Sequence, residues 1–275
     1  MTTLLNVEGA GFSYSKEGTA IFQDIGFTVE KGQVFCLLGP NGCGKTSLLD
    51  CILGLYKLNR GSIYIQGRNM KSFKPGQIAQ YIAYVPQRHE GSFPYTVMEM
   101  VQMGRAAYTD RFSSPSAEDK KIAREALELV GLSHLRHRPF TQLSGGESQL
   151  VMIARALAQK TPMIVMDEPT SHLDFRHEIV VLETIVHLVK NSGVSIVMAT
   201  HFPNHVFYFD NQELPAVCAL MHMQGFLAMG RAGEVLNEQN MRKLYGVNTR
   251  LIKVPWDQER DLRHLVPVNT AATEV

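Results

Sequence analysis

The sequence lacks any long hydrophobic run. Its apolar segment 215–223 is about half of the roughly 18 consecutive apolar residues that a membrane-spanning helix needs, and it reads as a strand. The amino terminus has no basic stretch followed by an apolar one, so we expect no signal peptide. These absences predict a soluble protein that reaches a membrane only through partners.

An excess of charge of one sign is also missing. The chain has 27 basic and 26 acidic residues, for a net charge of +1, whereas a nucleic-acid-binding surface usually needs a basic excess. We therefore expect no nucleic-acid partner. Metal-ligand spacing is absent among the ten histidines and among the cysteines, which are Cys36, Cys43, Cys51 and Cys218. Reduced thiols in a cytosolic protein are the simple interpretation.

Three of the 22 glycines lie in residues 39–46, a segment that reads GPNGCGKT and fits the phosphate-binding pattern G-x-x-x-x-G-K-[ST]. An apolar run precedes the segment and a helical pattern, residues 47–53, follows it. The glycines allow backbone N–H groups to face a phosphate chain, and the helix adds its positive dipole end. Lys45 would reach the β- and γ-phosphates, and the hydroxyl of Thr46 suits a nucleotide-bound Mg²⁺.

Two further motifs lie downstream. Residues 143–147 read LSGGE and lead into a helix-like pattern, which gives a second helix start suited to anions. The apolar strand MIVMD then ends in the carboxylate pair Asp167 and Glu168. Such a pair can hold Mg²⁺ through water and position an attacking water.

With these motifs the chain resembles the ATP-binding cassette (ABC) ATPases, the nucleotide-binding subunits of ABC transporters. The resemblance covers roughly residues 4–250 and rests on elements in the family's order: Tyr14, GPNGCGKT, Gln87, LSGGE, MIVMDE at 163–168, SHLD at 171–174 and His201. Two residues depart from the family's commoner choices, His172 in place of a small residue and Glu147 in place of Gln. We expect neither to abolish activity.

The resemblance implies an α/β fold, the P-loop NTPase core of ABC ATPases, with an antiparallel β subdomain and an inserted α-helical signature subdomain. Residues 1–252 would form the ATP-binding domain, with the helical subdomain at about 88–160. Amphipathic spacing in residues 116–130 agrees with a helix there. The mixed polar residues 253–275 predict a C-terminal tail, poorly ordered from about residue 254.

The resemblance also assigns roles at the ATP site. Glu168 would be the general base, Asp167 the metal-side carboxylate, and His201 the sensor of the γ-phosphate. Gln87 would contact Mg²⁺ and the lytic water, although a surface glutamine after a strand is the plain alternative. ATP would be held by the phosphate loop, residues Gly39, Pro40, Asn41, Gly42, Cys43, Gly44, Lys45 and Thr46.

An aromatic residue would stack on the adenine ring. Tyr14 is the family's position for it, 25 residues before Gly39 (39 minus 14). Phe12 competes for that role, and either residue could belong to the core instead.

In this family the signature contacts ATP bound to the other subunit, so the resemblance implies a dimer of two copies. Ser144, Gly145 and Gly146 would contact the γ-phosphate across the interface, and Asp174 would lie at the seam between the two sites. The further partners would be transmembrane permease subunits, with a substrate-binding protein acting indirectly. The chain would then lie at the cytoplasmic face of the membrane.

The segment TVMEMVQMGR and the ending GEVLNEQNMRKLYGV resemble the ATPases of importers for iron-siderophores, heme, cobalamin and some oxyanions. Only 74 residues follow His201 (275 minus 201), which argues against an appended regulatory domain. We expect a metal-chelate importer subunit, with an oxyanion importer such as one for molybdate as the alternative.

Two other classes share the motifs. A DNA-repair or chromosome ATPase would place a long coiled coil between phosphate loop and signature, but only 96 residues separate Thr46 from Leu143 (142 minus 46). A ribosome-associated factor would usually carry two cassettes, and this chain has one phosphate loop. Aromatic and apolar residues after Gln87 would either receive the permease or close over their own core: Phe93, Tyr95, Val97 and Met98.

Overall fold

The computed structural model describes residues 2–15, 18–74, 76–87, 93–108, 114–256 and 261–271. Its strands, in chain order, are β1 (Thr3–Phe12), β2 (Phe22–Glu30), β3 (Val34–Leu38), β4 (Arg60–Ile65), β5 (Arg68–Asn69), β6 (Ile82–Val85), β7 (Met163–Asp167), β8 (Ser195–Thr200), β9 (Ala216–His222), β10 (Gly225–Gly230), β11 (Val247–Pro255) and β12 (Asp261–Thr270). Its α-helices are α1 (Lys45–Ile52), α2 (Val97–Gln102), α3 (Ala117–Leu129), α4 (Gly145–Ala158), α5 (Phe175–Ser192), α6 (Pro203–Asn211), α7 (Ala232–Val235) and α8 (Glu238–Tyr245).

The central sheet has the strand order β10-β9-β3-β8-β7-β6, and all neighbouring pairs except β9 with β10 are parallel. Parallel strands covered on both faces are apolar at nearly every position. Strand β3 is buried throughout, and its side chains alternate between two hydrophobic cores. Cys36 packs into the core shared with α2–α6, and Phe35 into the core shared with α1.

A smaller antiparallel sheet, in the order β2-β1-β4-β5, covers the face of the central sheet that carries α1. Phe27 of β2 stacks on Phe35 of β3, with ring centroids 4.3 Å apart. The expected antiparallel β subdomain is therefore confirmed.

Helices α2, α3 and α4 pack against one another on the opposite face, between the phosphate loop and β7 in sequence. Each begins with a capping box. The side chain of the N-cap Ser or Thr accepts a hydrogen bond from the backbone N–H three residues later, and the acidic side chain of that later residue accepts one from the N-cap N–H. Arg105 joins the layer, because its Nε donates to Asp119 Oδ1 at 2.8 Å and its NH1 donates to Ala158 O at 3.0 Å. The helical region is present where it was expected, while the domain bounds stay a prediction.

The carboxyl ends of four parallel strands meet at one edge of the central sheet. Leu38 of β3 is in register with Thr200 of β8, Ala199 of β8 with Asp167 of β7, and Val85 of β6 with Met166 of β7. Ligands of open α/β sheets bind at such an edge. The phosphate loop, Gln87, Glu168 and His201 all follow directly from these strand ends.

The described residues 254–256 and 261–271 differ from the tail that the sequence predicted to be poorly ordered from about residue 254. Strands β11 and β12 pair as an antiparallel hairpin, with Leu265 only 4% exposed. Two asparagines of α6 bind the backbone of β12: Asn204 pairs with the N–H and C=O of Leu265, and Asn211 with those of Arg263. Polar side chains that satisfy a strand's backbone leave no apolar pattern in the sequence, which explains the wrong prediction.

Among the described helices, none has both the length and the apolar character required to cross a lipid bilayer.

Candidate active site

The phosphate loop connects β3 to α1 at the carboxyl edge of the sheet. Gly39 has no room for a side chain, because a Cβ there would lie 2.7 Å from the carbonyl oxygen of Met221. Gly44 has φ 104°, in the region that glycine alone adopts readily. Lys45, the first residue of α1, is 5% exposed, and its Nζ donates to Gly39 O at 2.7 Å and to Pro40 O at 3.2 Å.

Glu168 is the point where the separate motifs meet. Its Oε2 accepts from Gln87 Nε2 at 3.0 Å and lies 3.2 Å from His201 Nδ1, an ion-pair distance without hydrogen-bond geometry. Its Oε1 lies 3.5 Å from Lys45 Nζ. The residue has φ 45°, which is uncommon outside glycine. Four strand ends thus bring a carboxylate, an amide, an imidazole and an ammonium group together.

Asp167, the last residue of β7, faces the phosphate loop. The hydroxyl of Thr46 donates to its Oδ2 at 2.8 Å, whereas its Oδ1 is buried without a hydrogen-bond partner. Burial raises the pKa of this carboxyl, and the hydrogen bond from Thr46 opposes that rise. A buried oxygen without a partner, next to a hydroxyl, fits a hard cation that takes oxygen ligands. These residues therefore fit Mg²⁺.

Tyr14 and Phe12 have different environments. Phe12 is 5% exposed and belongs to the core, while Tyr14 is 61% exposed and lines the cleft of the phosphate loop. The ring of Tyr14 contacts Phe12 and Tyr56 edge-on, and its hydroxyl forms a 2.8 Å hydrogen bond with Ser47 Oγ. Of the two candidates, only Tyr14 presents an open ring to the cleft.

The signature LSGGE forms the start of α4. Ser144 is the N-cap, and its N–H and hydroxyl donate to Glu147 Oε2 at 2.8 and 2.9 Å. These hydrogen bonds lower the pKa of Glu147. Glu147, where the family more often has Gln, thus orients the signature serine.

His177, which the sequence did not single out, joins the signature to Asp174. A Cβ on Gly146 would lie 2.0 Å from the His177 ring, so this glycine leaves the space that the ring fills. His177 Nδ1 lies 2.8 Å from Asp174 Oδ1, and Asp174 caps α5 by accepting from the backbone N–H of His177. The spacing of Asp174 and His177 by three residues was the available signal, since such residues meet on one turn.

Tyr245 also escaped the sequence analysis. It ends α8, and its hydroxyl donates to the carbonyl oxygen of His201 at 3.3 Å. Burial raises the pKa of this phenol. The carboxyl-terminal region therefore supports the loop of His201, a long-range contact without a local pattern.

Several of the predicted site residues line one cleft, whereas the signature residues lie outside it. A cleft of about 390 Å³ is lined by Tyr14, Ile21, Asn41, Gly42, Gly44, Lys45, Thr46, Ser47, Gln87 and Glu168. The residues Ser144, Gly145, Gly146 and Asp174 are absent from that lining, and His177 packs against Gly146 and contacts Asp174. In the described part of the chain, the signature residues are thus separate from the cleft of the phosphate loop.

The geometry agrees with comparisons to known proteins. Residues 22–171, more than half of the chain, match the family model described as ABC transporter. The chain belongs to the ABC transporter family. This ABC protein is 36% identical over 245 residues to the molybdate import ATP-binding protein MolC of Haemophilus influenzae, with 89% of each chain covered.

Two more similarities bear on the family's subgroups. The chain is 31% identical over 251 residues to the iron(3+)-hydroxamate import ATP-binding protein FhuC of Bacillus subtilis, with 91% of each chain covered. A solved ABC transporter, assigned to the metal-chelate type and in an inward-facing conformation, matches with a TM-score of 0.84 and 33% identity, over 97% of this chain and 98% of that one. The protein is thus an ATP-binding, ATP-hydrolysing transporter subunit, with the expected P-loop NTPase fold.

The segment after Gln87 of this ABC protein divides between surface and core. Phe93 and Tyr95 are 64% and 41% exposed, with ring centroids 5.9 Å apart. Val97 is fully buried and Met98 packs against the same core. The docking interpretation is therefore wrong for Val97 and stays a prediction for Phe93 and Tyr95.

Proposed function

We propose that two copies of this subunit close on ATP and thereby drive a membrane importer. Its cargo is a metal chelate, of the iron-siderophore, heme or cobalamin kind. The single observation that carries the ATPase chemistry is the convergence of Gln87, His201 and Lys45 on Glu168. The relatives that import iron-hydroxamate and the metal-chelate type transporter support the cargo class.

An oxyanion importer is the second candidate. The molybdate relative is 36% identical, compared with 31% for the iron-hydroxamate relative. Reconstitution with the permease and a substrate-binding protein distinguishes the two. Stimulation of ATP hydrolysis by binding protein loaded with a ferric chelate supports the first candidate, and stimulation only by binding protein loaded with molybdate supports the second.

In the proposed reaction the phosphate loop, residues 39–46, binds the phosphates through backbone N–H groups, and Lys45 neutralises the β- and γ-phosphates. Tyr14 stacks on the adenine ring, a contact that contributes about 1–3 kcal/mol for a base on an aromatic side chain. Thr46, Asp167 and Gln87 would hold Mg²⁺, which when bound neutralises charge on the phosphates.

Glu168 acts as the general base in this proposal. Gln87 and His201 orient a water toward the γ-phosphate, and Glu168 accepts the proton that this water loses as it attacks. The bond between the γ-phosphorus and the β–γ bridging oxygen breaks, and ADP leaves with phosphate as the second product. The contacts to Glu168 support the assignment, because both orienting side chains already touch one oxygen of the carboxylate. A positioned base contributes about 10²–10⁴ in rate.

The position of the signature residues outside the cleft favours a second copy of the chain. Ser144, Gly145 and Gly146 stand at a helix start suited to an anion but do not line their own chain's cleft. We propose that they complete the cleft of the partner copy, with Asp174 at the seam. The dimer would act on permease subunits at the cytoplasmic face of the membrane, and through them on a substrate-binding protein.

Glu168→Gln tests the general base. The amide keeps the size of the side chain but cannot accept the proton, so we expect hydrolysis to slow by about 10²–10⁴ while ATP binding persists. Size-exclusion chromatography with ATP should then show an accumulated dimer. Glu183→Gln, an exposed change on α5, is the matched control. A Glu168→Gln protein that hydrolyses ATP at the original rate would remove Glu168 from the mechanism.

A further inference from the structure

A relay of three hydrogen-bonded side chains, Thr200, His205 and Glu178, begins at the residue before His201. Thr200, the last residue of β8, forms a 2.9 Å hydrogen bond through its hydroxyl with His205 Nδ1. His205 Nε2 in turn lies 2.8 Å from Glu178 Oε1 on α5. Thr200 is 1% and His205 2% exposed. The relay therefore connects β8, α6 and α5 through the interior of the protein.

Within this relay, each hydrogen-bond donor has an acceptor. The Thr200 hydroxyl oxygen accepts from the Phe202 backbone N–H at 3.1 Å, which leaves its proton to donate to His205 Nδ1. The opposite ring nitrogen then donates to Glu178, a hydrogen bond that lowers the pKa of that carboxyl. Although a hydroxyl, an imidazole and a carboxylate in a row resemble a nucleophilic triad, the burial of Thr200 and His205 denies access to a substrate.

The relay fixes the residues on both sides of His201, which is proposed to sense the γ-phosphate. Thr200 precedes His201, and the N–H of Phe202, which follows it, is bound to the Thr200 hydroxyl. The Phe202 ring lies against both histidines, with centroids 3.9 Å from His201 and 5.2 Å from His205. The backbone on either side of His201 is thereby fixed to α5.

We propose that Thr200, His205 and Glu178 are positioning residues for His201, which keep its imidazole at the distance from Glu168 that hydrolysis requires. This inference rests on the proposed function of the site and adds residues to it. Glu178 lies on the same first turn of α5 as His177, which contacts the signature and Asp174. The relay therefore ends one residue from His177, which packs against Gly146 of the signature.

The test is a double-mutant cycle between Thr200→Val and His201→Ala, with kcat and KM for ATP measured by release of labelled phosphate. Thr200→Val removes only the hydroxyl in a near-isosteric side chain, and we expect kcat to fall about tenfold with KM little changed, as for the loss of one net hydrogen bond. Thr200→Ser should restore kcat. In the His201→Ala background, Thr200→Val should have no further effect, because the relay acts through His201.

Controls separate positioning from stability. Thr184→Val removes a hydroxyl that bonds within α5, and it should leave kcat unchanged. Glu178→Ala, at a side chain 29% exposed, breaks the other end of the relay without altering β8 and should reproduce the loss of kcat if Thr200→Val fails to fold.

Each outcome decides a separate claim. Wild-type kcat in folded Thr200→Val or Glu178→Ala, or an equal fold-loss in both His201 backgrounds, overturns the relay. Full activity of His201→Ala alone contradicts the proposed role of His201 and hence the function on which the relay rests.

Discussion

At the residue scale, the candidate site is centred on Glu168. Gln87, His201 and Lys45 surround this carboxylate, and they come from strand ends that are far apart in sequence. The motifs were predictable because their residue types and order are specific. The left-handed conformation of Glu168 and the packing of His177 against Gly146 were not, since both result from contacts across the fold. Phe12 and Tyr14 could be separated only by their burial.

Lys45→Ala tests the phosphate loop at this scale. The substitution removes the ammonium group that would neutralise the phosphates. Because a hydrogen bond to a charged group contributes about 1.5–3 kcal/mol, ATP should bind at least about tenfold more weakly. Equilibrium titration with a fluorescent ATP analogue measures the change, with the exposed Lys57→Ala as control. Unchanged affinity would mean that this loop is not the nucleotide site.

At the element scale, the helical layer is held by its caps and by Arg105. The capping boxes of α3 and α4 were readable from the spacing of Ser116 with Asp119 and of Ser144 with Glu147. The hairpin β11–β12 was not, because its contacts to α6 run through asparagine side chains and few buried apolar residues. Elements stabilised by polar contacts leave a weak sequence pattern.

Asp119 gives the layer a pH dependence. Hydrogen bonds from Arg105 and then Ser116 lower its pKa to about 2, below the value near 3.9 of an unfolded chain. A carboxylate with a lowered pKa stabilises the fold above its unfolded pKa, and this contribution is lost as the pH falls from about 4 toward 2. Asp119→Asn should therefore lower the free energy of unfolding at neutral pH.

Urea unfolding of Asp119→Asn and of the unsubstituted protein, at neutral pH and at about pH 3, measures the effect. The difference between the two proteins should shrink at the lower pH. Glu118→Gln, an exposed change in the same helical turn, should show a smaller difference at neutral pH. A difference that is constant with pH would show that the Arg105 contact does not hold the carboxylate ionised.

At the scale of the whole molecule, the surface around Phe93 and Tyr95 is the candidate contact with a permease. Exposed neighbouring aromatic rings are enriched at interfaces. Replacing both with Ser should leave melting temperature and ATP binding unchanged but reduce capture of the permease and uncouple transport. Loss of ATP binding together with a large drop in melting temperature would show that the two rings stabilise the fold instead.

The central claim is that each ATP site is completed by the signature of a second copy. Gly145 suits its test, because a Cβ there meets only Leu173 Cδ2 at 3.9 Å, so a side chain fits without displacing the helix. Gly145→Glu adds a negative charge where the partner's phosphate would bind, while an acidic residue at a helix start favours the fold. Gly145→Ala is the matched control for size.

The decisive measurement is ATP hydrolysis after mixing Gly145→Glu chains, which keep an intact cleft, with Glu168→Gln chains, which keep an intact signature. Each variant alone should be nearly inactive, and the mixture should regain hydrolysis because mixed dimers contain one complete site. Activity of Gly145→Glu alone at the level of Gly145→Ala, or a mixture no more active than its components, would contradict the account.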